Sequence, residues 1–324
     1  MKPQLVIFDW AGTTVDYGCF APVNAFALAF QKFGVNPTVE EIRAPMGMLK
    51  RDHIRTMLAM PAIQRQWQEN QGAADEAAVE KIYGVFEDSL MESLADYAAP
   101  KPGVVETVEA LRAQGIRIGS TTGYTDQMMA VVTQGAARQG YAPDAWFSPD
   151  SVQGLGRPYP YMIYANMAQF QIPSVADVVK VGDTVADIQE GKNAGILSLG
   201  VLEGSSVLGY TQEEYEALPP QDRERVLARA KETFLAAGAD GVLLNLSQLP
   251  QWLEEQEKEC LLPVQRPSRK GGPLSSNGGE YSLVALPPFS CASARPWPSK
   301  ILPCGRKGEH PPVLSFSLAG AGSF

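Results

Sequence analysis

The feature that most restricts how this chain can fold is an alternation. Short apolar runs occur at residues 4–8, Ile116–Thr121 (IRIGST), Val178–Gly182 (VVKVG) and Ile196–Val201 (ILSLGV), with a weaker one at Gly241–Leu244. These runs alternate too little for strands with a wet face and suit strands buried on both sides. Between them lie stretches with helical spacing. Val104, Val105, Val108 and Leu111 share one face, preceded by Pro102 and followed by Gly115 as a stop signal. Thr125–Arg138, Pro160–Phe170 and Thr184–Ala194 are of the same kind. Strands alternating with helices imply a parallel sheet with right-handed crossovers, an α/β fold.

One interval breaks the pattern. From about Phe20 to Ala98 only helical signals occur, in APVNAFALAFQKFG, TVEEIRAPMGMLKRDHIRTMLAM and ADEAAVEKIYGVFEDSLMESLADYA. A strand-free insert of this length after the first strand predicts a separate helical cap over residues 20–98. The core then comprises residues 1–19 and 99–258, with crossings near Gly18 and Pro100–Pro102. Hinged closure of such a cap would exclude water from a site beneath it.

Residues 259–324 have a different texture. From Cys260 on, seven Lys/Arg stand against two Asp/Glu, ten prolines accumulate, and PSRKGGPLSSNGGEY has no periodicity. The segment is expected to be a disordered Pro/Gly/Ser-rich tail without a part in the chemistry. A net charge of -9 over 324 residues argues against a nucleic-acid or membrane-surface partner. No apolar run approaches a membrane span, and QLVIF is too short for the apolar part of a secretion signal, so a cytoplasmic protein is expected. Four cysteines without a CxxC pair suggest neither a zinc site nor a disulfide framework.

Open α/β sheets bind ligands beyond the carboxyl ends of their strands. Four polar clusters fall there. Asp9 with Gly12, Thr13 and Thr14 follows the first strand. Thr121–Thr125 (TTGYT) ends the second and opens a helix, leaving backbone amides to hold an anion. Arg157 stands in GLGRPYPYM, and Asp183 and Asp187 stand one helical turn apart in VGDTVADIQEGKNAG. Singly, each has an ordinary explanation: a strand-end acid or Thr122 as a helix cap, Arg157 as a surface ion pair, and Asp183 with Asp187 as a capping arrangement. Their occurrence in chain order at the ends of one predicted sheet argues for a site.

In that order, DxxGT after the first strand, a Thr at the second, a basic residue before a helix and GDxxxD resemble the haloacid dehalogenase superfamily, over residues 1 to about 258. Within it, DWAGTTVDYGCF, MGMLKRDHI, STTGYT, GRPYPYM and VGDTVADIQEGKNAG are similar to the phosphonoacetaldehyde hydrolases, or phosphonatases. GSSVLGYTQEEYEAL also resembles that family's C-terminal region.

The resemblance implies a Rossmann-like parallel sheet with an inserted helical cap, and an Asp9 that attacks phosphorus to form an aspartyl phosphate. Superfamily phosphatases carry a second acid two residues on, to protonate a departing alkoxide. Ala11 stands there, which fits a carbon–phosphorus bond with no leaving oxygen. Lys50 would form a Schiff base with the aldehyde, helped by burial that disfavours its ammonium form. His53, one turn on, would move protons. From spacing alone, Lys50 and His53 read first as a solvated helix face, ahead of any catalytic role. The resemblance further implies Mg²⁺ held by Asp9, the Ala11 carbonyl and Asp183, with Thr184 and Asp187 behind these ligands. Thr122, Gly123 and Arg157 would bind the phosphoryl oxygens, and an arginine at 157 cannot compete with Lys50 for the aldehyde. Thr13 is expected to bond Asp9. Cys19, Met46 and Tyr124 would contact substrate, although such side chains usually signal plain packing. The family's habit implies a homodimer through the cap.

Two other readings compete. A cap-bearing phosphatase or phosphomutase would lack its general acid at Ala11. A non-catalytic member of the fold would have no reason to keep Asp9, Arg157 and Asp183 together.

Overall fold

The computed structural model describes residues 2–261. Most of the segment expected to be a tail therefore lies outside the described residues. In chain order the elements are β1 (Leu5–Phe8), α1 (Phe20–Gln31), α2 (Val39–Arg43), α3 (Lys50–Leu58), α4 (Pro61–Gln71), α5 (Glu76–Ser93) and α6 (Val104–Ala113). They continue as β2 (Arg117–Ser120), α7 (Asp126–Ala137), α8 (Tyr161–Gln169), β3 (Val178–Gly182), α9 (Val185–Ala194) and β4 (Leu197–Val201). The described residues end with α10 (Gln212–Ala217), α11 (Pro220–Ala236), β5 (Gly241–Leu243) and α12 (Leu249–Leu261).

The five strands form one wholly parallel sheet in the order β2-β1-β3-β4-β5. The chain runs outward from β1 in both directions, so the crevice at the carboxyl ends of β2, β1 and β3 is the topological switch point. Every residue of β1 and β3 is buried, as expected for strands covered on both faces. One of them, Lys180, is a charged residue in a central strand and needs a partner network to be tolerated there.

Between β1 and β2 all the regular elements are helices. Helix α5 packs along α1 and α3, with Phe26 and Phe86 stacked 4.1 Å apart. The stretch TVEEIRAPMGMLKRDHIRTMLAM is not one helix. It breaks between α2 and α3 in a turn where Gly47 has φ 89°, and where any side chain would strike Thr184 on the core. This turn brings the cap down onto the sheet and makes Lys50 the first residue of α3.

Two linkers join the cap to the core. In the first, Asp16 accepts hydrogen bonds from the amides of Phe20 and Ala21, both at 2.9 Å, and so starts α1. In the second, Pro100 pairs with Val15 and the Lys101 amide donates to the Thr14 carbonyl at 2.9 Å. The Lys101 ammonium is buried and reaches the carbonyls of Gly12 and Glu203. Helix α12 extends past residue 258, where the sequence suggested the core would end, because EKECL keeps helix-forming residues until Pro263. No helix among the described residues is long and apolar enough to cross a membrane.

Candidate active site

The carboxyl ends of the three adjacent strands each deliver part of the site. Asp9 leaves β1, Thr121 and Thr122 leave β2, and Asp183 leaves β3; all four are buried. Arg157 arrives from the loop before α8, and its Nη2 donates to Asp9 Oδ1 at 2.6 Å. The same nitrogen donates to the Thr121 carbonyl at 2.9 Å and lies 3.1 Å from Asp187 Oδ1, while Nε donates to Glu190 Oε2 at 3.1 Å. Burial by itself would weaken the guanidinium, but Asp187, Asp9 and Glu190 outweigh it and hold Arg157 cationic. A charge-assisted fork of this kind fixes both the carboxylate and the guanidinium plane.

One oxygen each of Asp9, Asp183 and Asp187 lie within 4.8 Å of one another. The Asp183 carboxyl is pushed up to about 7, first by burial and then by Asp9 and Asp187. Asp187 goes the other way. Burial would raise it, but Arg157, Lys180 and the Thr184 hydroxyl hold it below the ordinary carboxylate range. Thr184 and Asp187 also form the capping box that starts α9, so the capping explanation and the site explanation both hold for this pair. Asp9, Asp183, Asp187 and Glu190, if ionised, outnumber Arg157 and Lys180 by two charges in a water-poor pocket. A divalent cation fits that excess and those hard oxygen donors. Gly12 fits it too: its φ is 86° and a Cβ there would run into the Asp183 carboxylate, so the β1 loop can approach Asp183 closely.

One expected bond is different. Thr13 Oγ1 donates to Asp183 Oδ1 at 3.0 Å rather than to Asp9. Its neighbour Thr14 turns back instead, donating to the Asp9 carbonyl at 2.9 Å. The tight loop after β1, in which the amides of Thr13, Thr14 and Val15 all return to the Trp10 carbonyl, points Thr13 toward β3. Ser206, from the loop after β4, holds the other Asp183 oxygen through its amide at 2.8 Å.

The cap supplies a different chemistry. Lys50 is buried, lies with its Nζ 5.1 Å from the centre of the Tyr124 ring and 6.0 Å from that of Phe26, and has no ion-pair partner among the described residues. Its Nζ is 3.9 Å from where a Cβ on Gly123 would stand, so the amine reaches the core loop after β2. Burial pushes its ammonium down from the ordinary value of 10.5, against weaker opposition from the carboxylates Asp9 and Asp183. A cavity of about 30 Å³ brings together Asp9, Ala11, Cys19, Met46, Lys50, Thr122, Gly123, Tyr124, Arg157 and Thr184. Cys19 is a neutral thiol there, because burial and then Asp16 and Asp183 push it well above its usual range.

His53 is buried one turn behind Lys50 and is not among the residues lining the cavity. It stacks on Phe26 at 3.9 Å, and its Nε2 lies 2.9 Å from the Ile42 carbonyl. Because a carbonyl can only accept, Nε2 carries the proton, and Nδ1 is left without a partner. Burial, and then the Lys50 charge, keep the ring neutral. Thr13 and Asp187 likewise stand behind the cavity wall, touching Asp183 and Arg157.

Sequence reading missed Lys180, Glu190, Asp16, Lys101 and Ser206. Lys180 was the most visible of these, a lysine in the middle of the apolar run VVKVG. The others are scattered acids, bases and hydroxyls whose roles depend on distant partners.

Comparison with known proteins identifies the family. A family model described as haloacid dehalogenase-like hydrolase matches residues 3–195. A Lysinibacillus sphaericus protein named phosphonoacetaldehyde hydrolase is 50% identical over 251 residues, 77% of this chain and 93% of its own length. A Clostridioides difficile protein named bifunctional phosphonoacetaldehyde hydrolase/aminoethylphosphonate transaminase is 45% identical over 261 residues, 80% of this chain and 41% of the longer protein. The crystal structure of a phosphonoacetaldehyde hydrolase-like protein from Oleispira antarctica aligns with a TM-score of 0.77 at 31% identity, covering 82% of this chain and 96% of that one. The chain belongs to the haloacid dehalogenase-like hydrolases and, within them, to the phosphonoacetaldehyde hydrolases.

Proposed function

We propose that the protein hydrolyses the C–P bond of phosphonoacetaldehyde to acetaldehyde and phosphate, with Lys50 and Asp9 as its two covalent centres. The observation that carries this reading is a buried lysine of the cap, without an ion-pair partner among the described residues, that lines one small cavity with a strand-end aspartate. An ordinary phosphatase has no use for that amine, and Ala11 leaves it without an acid for a departing alkoxide.

The Lys50 amine adds to the aldehyde carbon and expels water, giving an iminium. Asp9 then attacks phosphorus; the C–P bond breaks and its electron pair enters the imine, leaving an enamine and an aspartyl phosphate. Protonation of the enamine carbon restores an iminium, which water hydrolyses to acetaldehyde and free Lys50. A second water releases phosphate from Asp9. His53 is the acid/base residue in this reading: its unpartnered Nδ1, a weak base because it is buried, relays protons through water from the adding amine to the departing hydroxyl. Arg157, Thr122 and the Gly123 amide bind the phosphoryl oxygens and stabilise charge as it spreads. Cys19, Met46 and Tyr124 wall off the carbon half.

Asp9, the Ala11 carbonyl and Asp183 would hold Mg²⁺, oriented by Asp187 and Thr184; when bound, the ion neutralises the phosphoryl oxygens against Asp9. The fused transaminase of the Clostridioides difficile relative supports a place after amine removal in 2-aminoethylphosphonate breakdown, in the cytoplasm. A homodimer through the cap is part of the same reading and rests on the family resemblance alone.

Trapping tests the reading. Incubation with phosphonoacetaldehyde and borohydride should inactivate the enzyme and leave one reduced adduct on Lys50. Turnover of phosphate monoesters without any adduct would overturn it in favour of a phosphatase.

A further inference from the structure

Lys180 lies in the middle of β3 and is 0% exposed, which is costly for an ammonium unless its surroundings use the charge. It does not line the cavity. Its Nζ donates to Thr121 Oγ1 at 2.7 Å and sits 3.0 Å from Asp187 Oδ1 and 3.4 Å from Glu190 Oε2. Glu190, on α9 and equally buried, uses that same Oε2 for Arg157 Nε, at 3.1 Å, and for the Thr121 hydroxyl, at 2.9 Å. Thr121 Oγ1 in turn accepts from Arg157 Nη2 at 3.0 Å. Lys180 and Arg157 thus draw on the same three partners, Asp187, Glu190 and Thr121, and only Arg157 goes on to touch Asp9.

We propose that Lys180 and Glu190 are positioning residues for Arg157, an internal counter-charge pair that sets the direction in which the guanidinium faces. Glu190 takes Nε, so the guanidinium plane is fixed and Nη2 points to Asp9 and the phosphoryl position. Lys180 balances Asp187 and Glu190, so that these acids do not pull Arg157 back from the cavity. Thr121 links the two cations and ties both to the end of β2. This also gives arginine at 157 a second reason to be there. A lysine has no separate Nε and Nη2 to divide between Glu190 and Asp9.

The inference rests on the phosphonate reading of the site, and the test separates the two. Inorganic phosphate, as a competitive inhibitor, probes the phosphoryl half. Acetaldehyde with borohydride probes Lys50 alone, because it carries no phosphoryl group. In Lys180→Met, phosphate should bind at least about tenfold more weakly, while the rate of Lys50 labelling stays within about twofold of wild type. Glu190→Gln should weaken phosphate by less, since its amide oxygen still accepts from Nε. The double variant Lys180→Met/Glu190→Gln removes one charge of each sign and should recover most of the loss seen in Lys180→Met. If Lys180→Met does not fold, Glu190→Gln decides alone. Unchanged phosphate binding in folded variants, or equal losses at both halves, would overturn the proposal. Absence of Lys50 labelling in the wild type would instead overturn the function assigned above.

Discussion

The two halves of the active site treat charge in opposite ways. On the core side, Asp9, Arg157, Asp187, Lys180 and Glu190 form a buried network in which each ionised group has a partner of opposite sign within 3.4 Å. On the cap side, Lys50 stands alone between aromatic rings, with its charge disfavoured by burial. The contrast matches the two tasks proposed for the site. Phosphoryl transfer needs fixed charges where charge develops, and a rigid sheet end can hold them. Imine formation needs an amine with a free lone pair, and any nearby carboxylate would work against it by favouring the ammonium. Placing the amine on α3, in the helical insert, keeps it out of the network.

The variant that should break this contrast most completely is Lys50→Arg. It keeps a cation but cannot form an imine, so C–P cleavage should fall by at least about 10³-fold. Inorganic phosphate should bind the core half as before, measured as inhibition of residual turnover or by calorimetry. Substantial remaining turnover would mean that the lone amine is not the electron sink.

The core network makes a second prediction, about pH. With Asp183 raised to about 7 from an ordinary 3.8, the folded state keeps a proton that the unfolded state has lost between those values. Cation-free stability therefore falls as pH rises through that window. A divalent cation must displace this proton below about 7 and meets no such competition above it. Mg²⁺ should thus raise Tm more at pH 8 than at pH 5, whether or not substrate is present. An equal or reversed shift would mean the acids do not hold the ion.

The smallest expected effect lies at the seam between the halves. Arg43, on α2, donates to the carbonyls of Gly18 at 2.8 Å and Ser206 at 3.1 Å, and Ser206 in turn holds Asp183. Arg43→Met should loosen cap closure and raise KM by about threefold to tenfold, with a smaller change in kcat. A change confined to kcat would show that the seam acts on chemistry rather than closure.

The sequence disclosed the sheet and its strand-end acids well, because doubly buried strands are apolar throughout and each is followed at once by its polar residue. VVKVGD is an example: strand and ligand are contiguous. The helical insert was legible for the same reason, through the absence of any alternation between Phe20 and Ala98. The turn at Gly47 was not, because PMGML carries only a weak break between two helical spacings. The Lys180–Glu190–Thr121 cluster was not legible either, since its members are 59 and 69 residues apart along the chain and meet only when β3 lies near β2. Thr13 misled for a local reason: the choice between Asp9 and Asp183 is set by how tightly the loop returns to Trp10.

The cavity of about 30 Å³ has room for about one or two water molecules, far less than a phosphonate with its aldehyde arm. A substrate of that size does not fit the cavity as it stands. Binding must therefore come with a widening of the space between Lys50 on α3 and the strand ends that carry Asp9 and Thr122, so the arrangement described here is one of at least two that the reaction needs. If the proposed enamine forms between walls this close, the only proton donors it meets are those the walls provide.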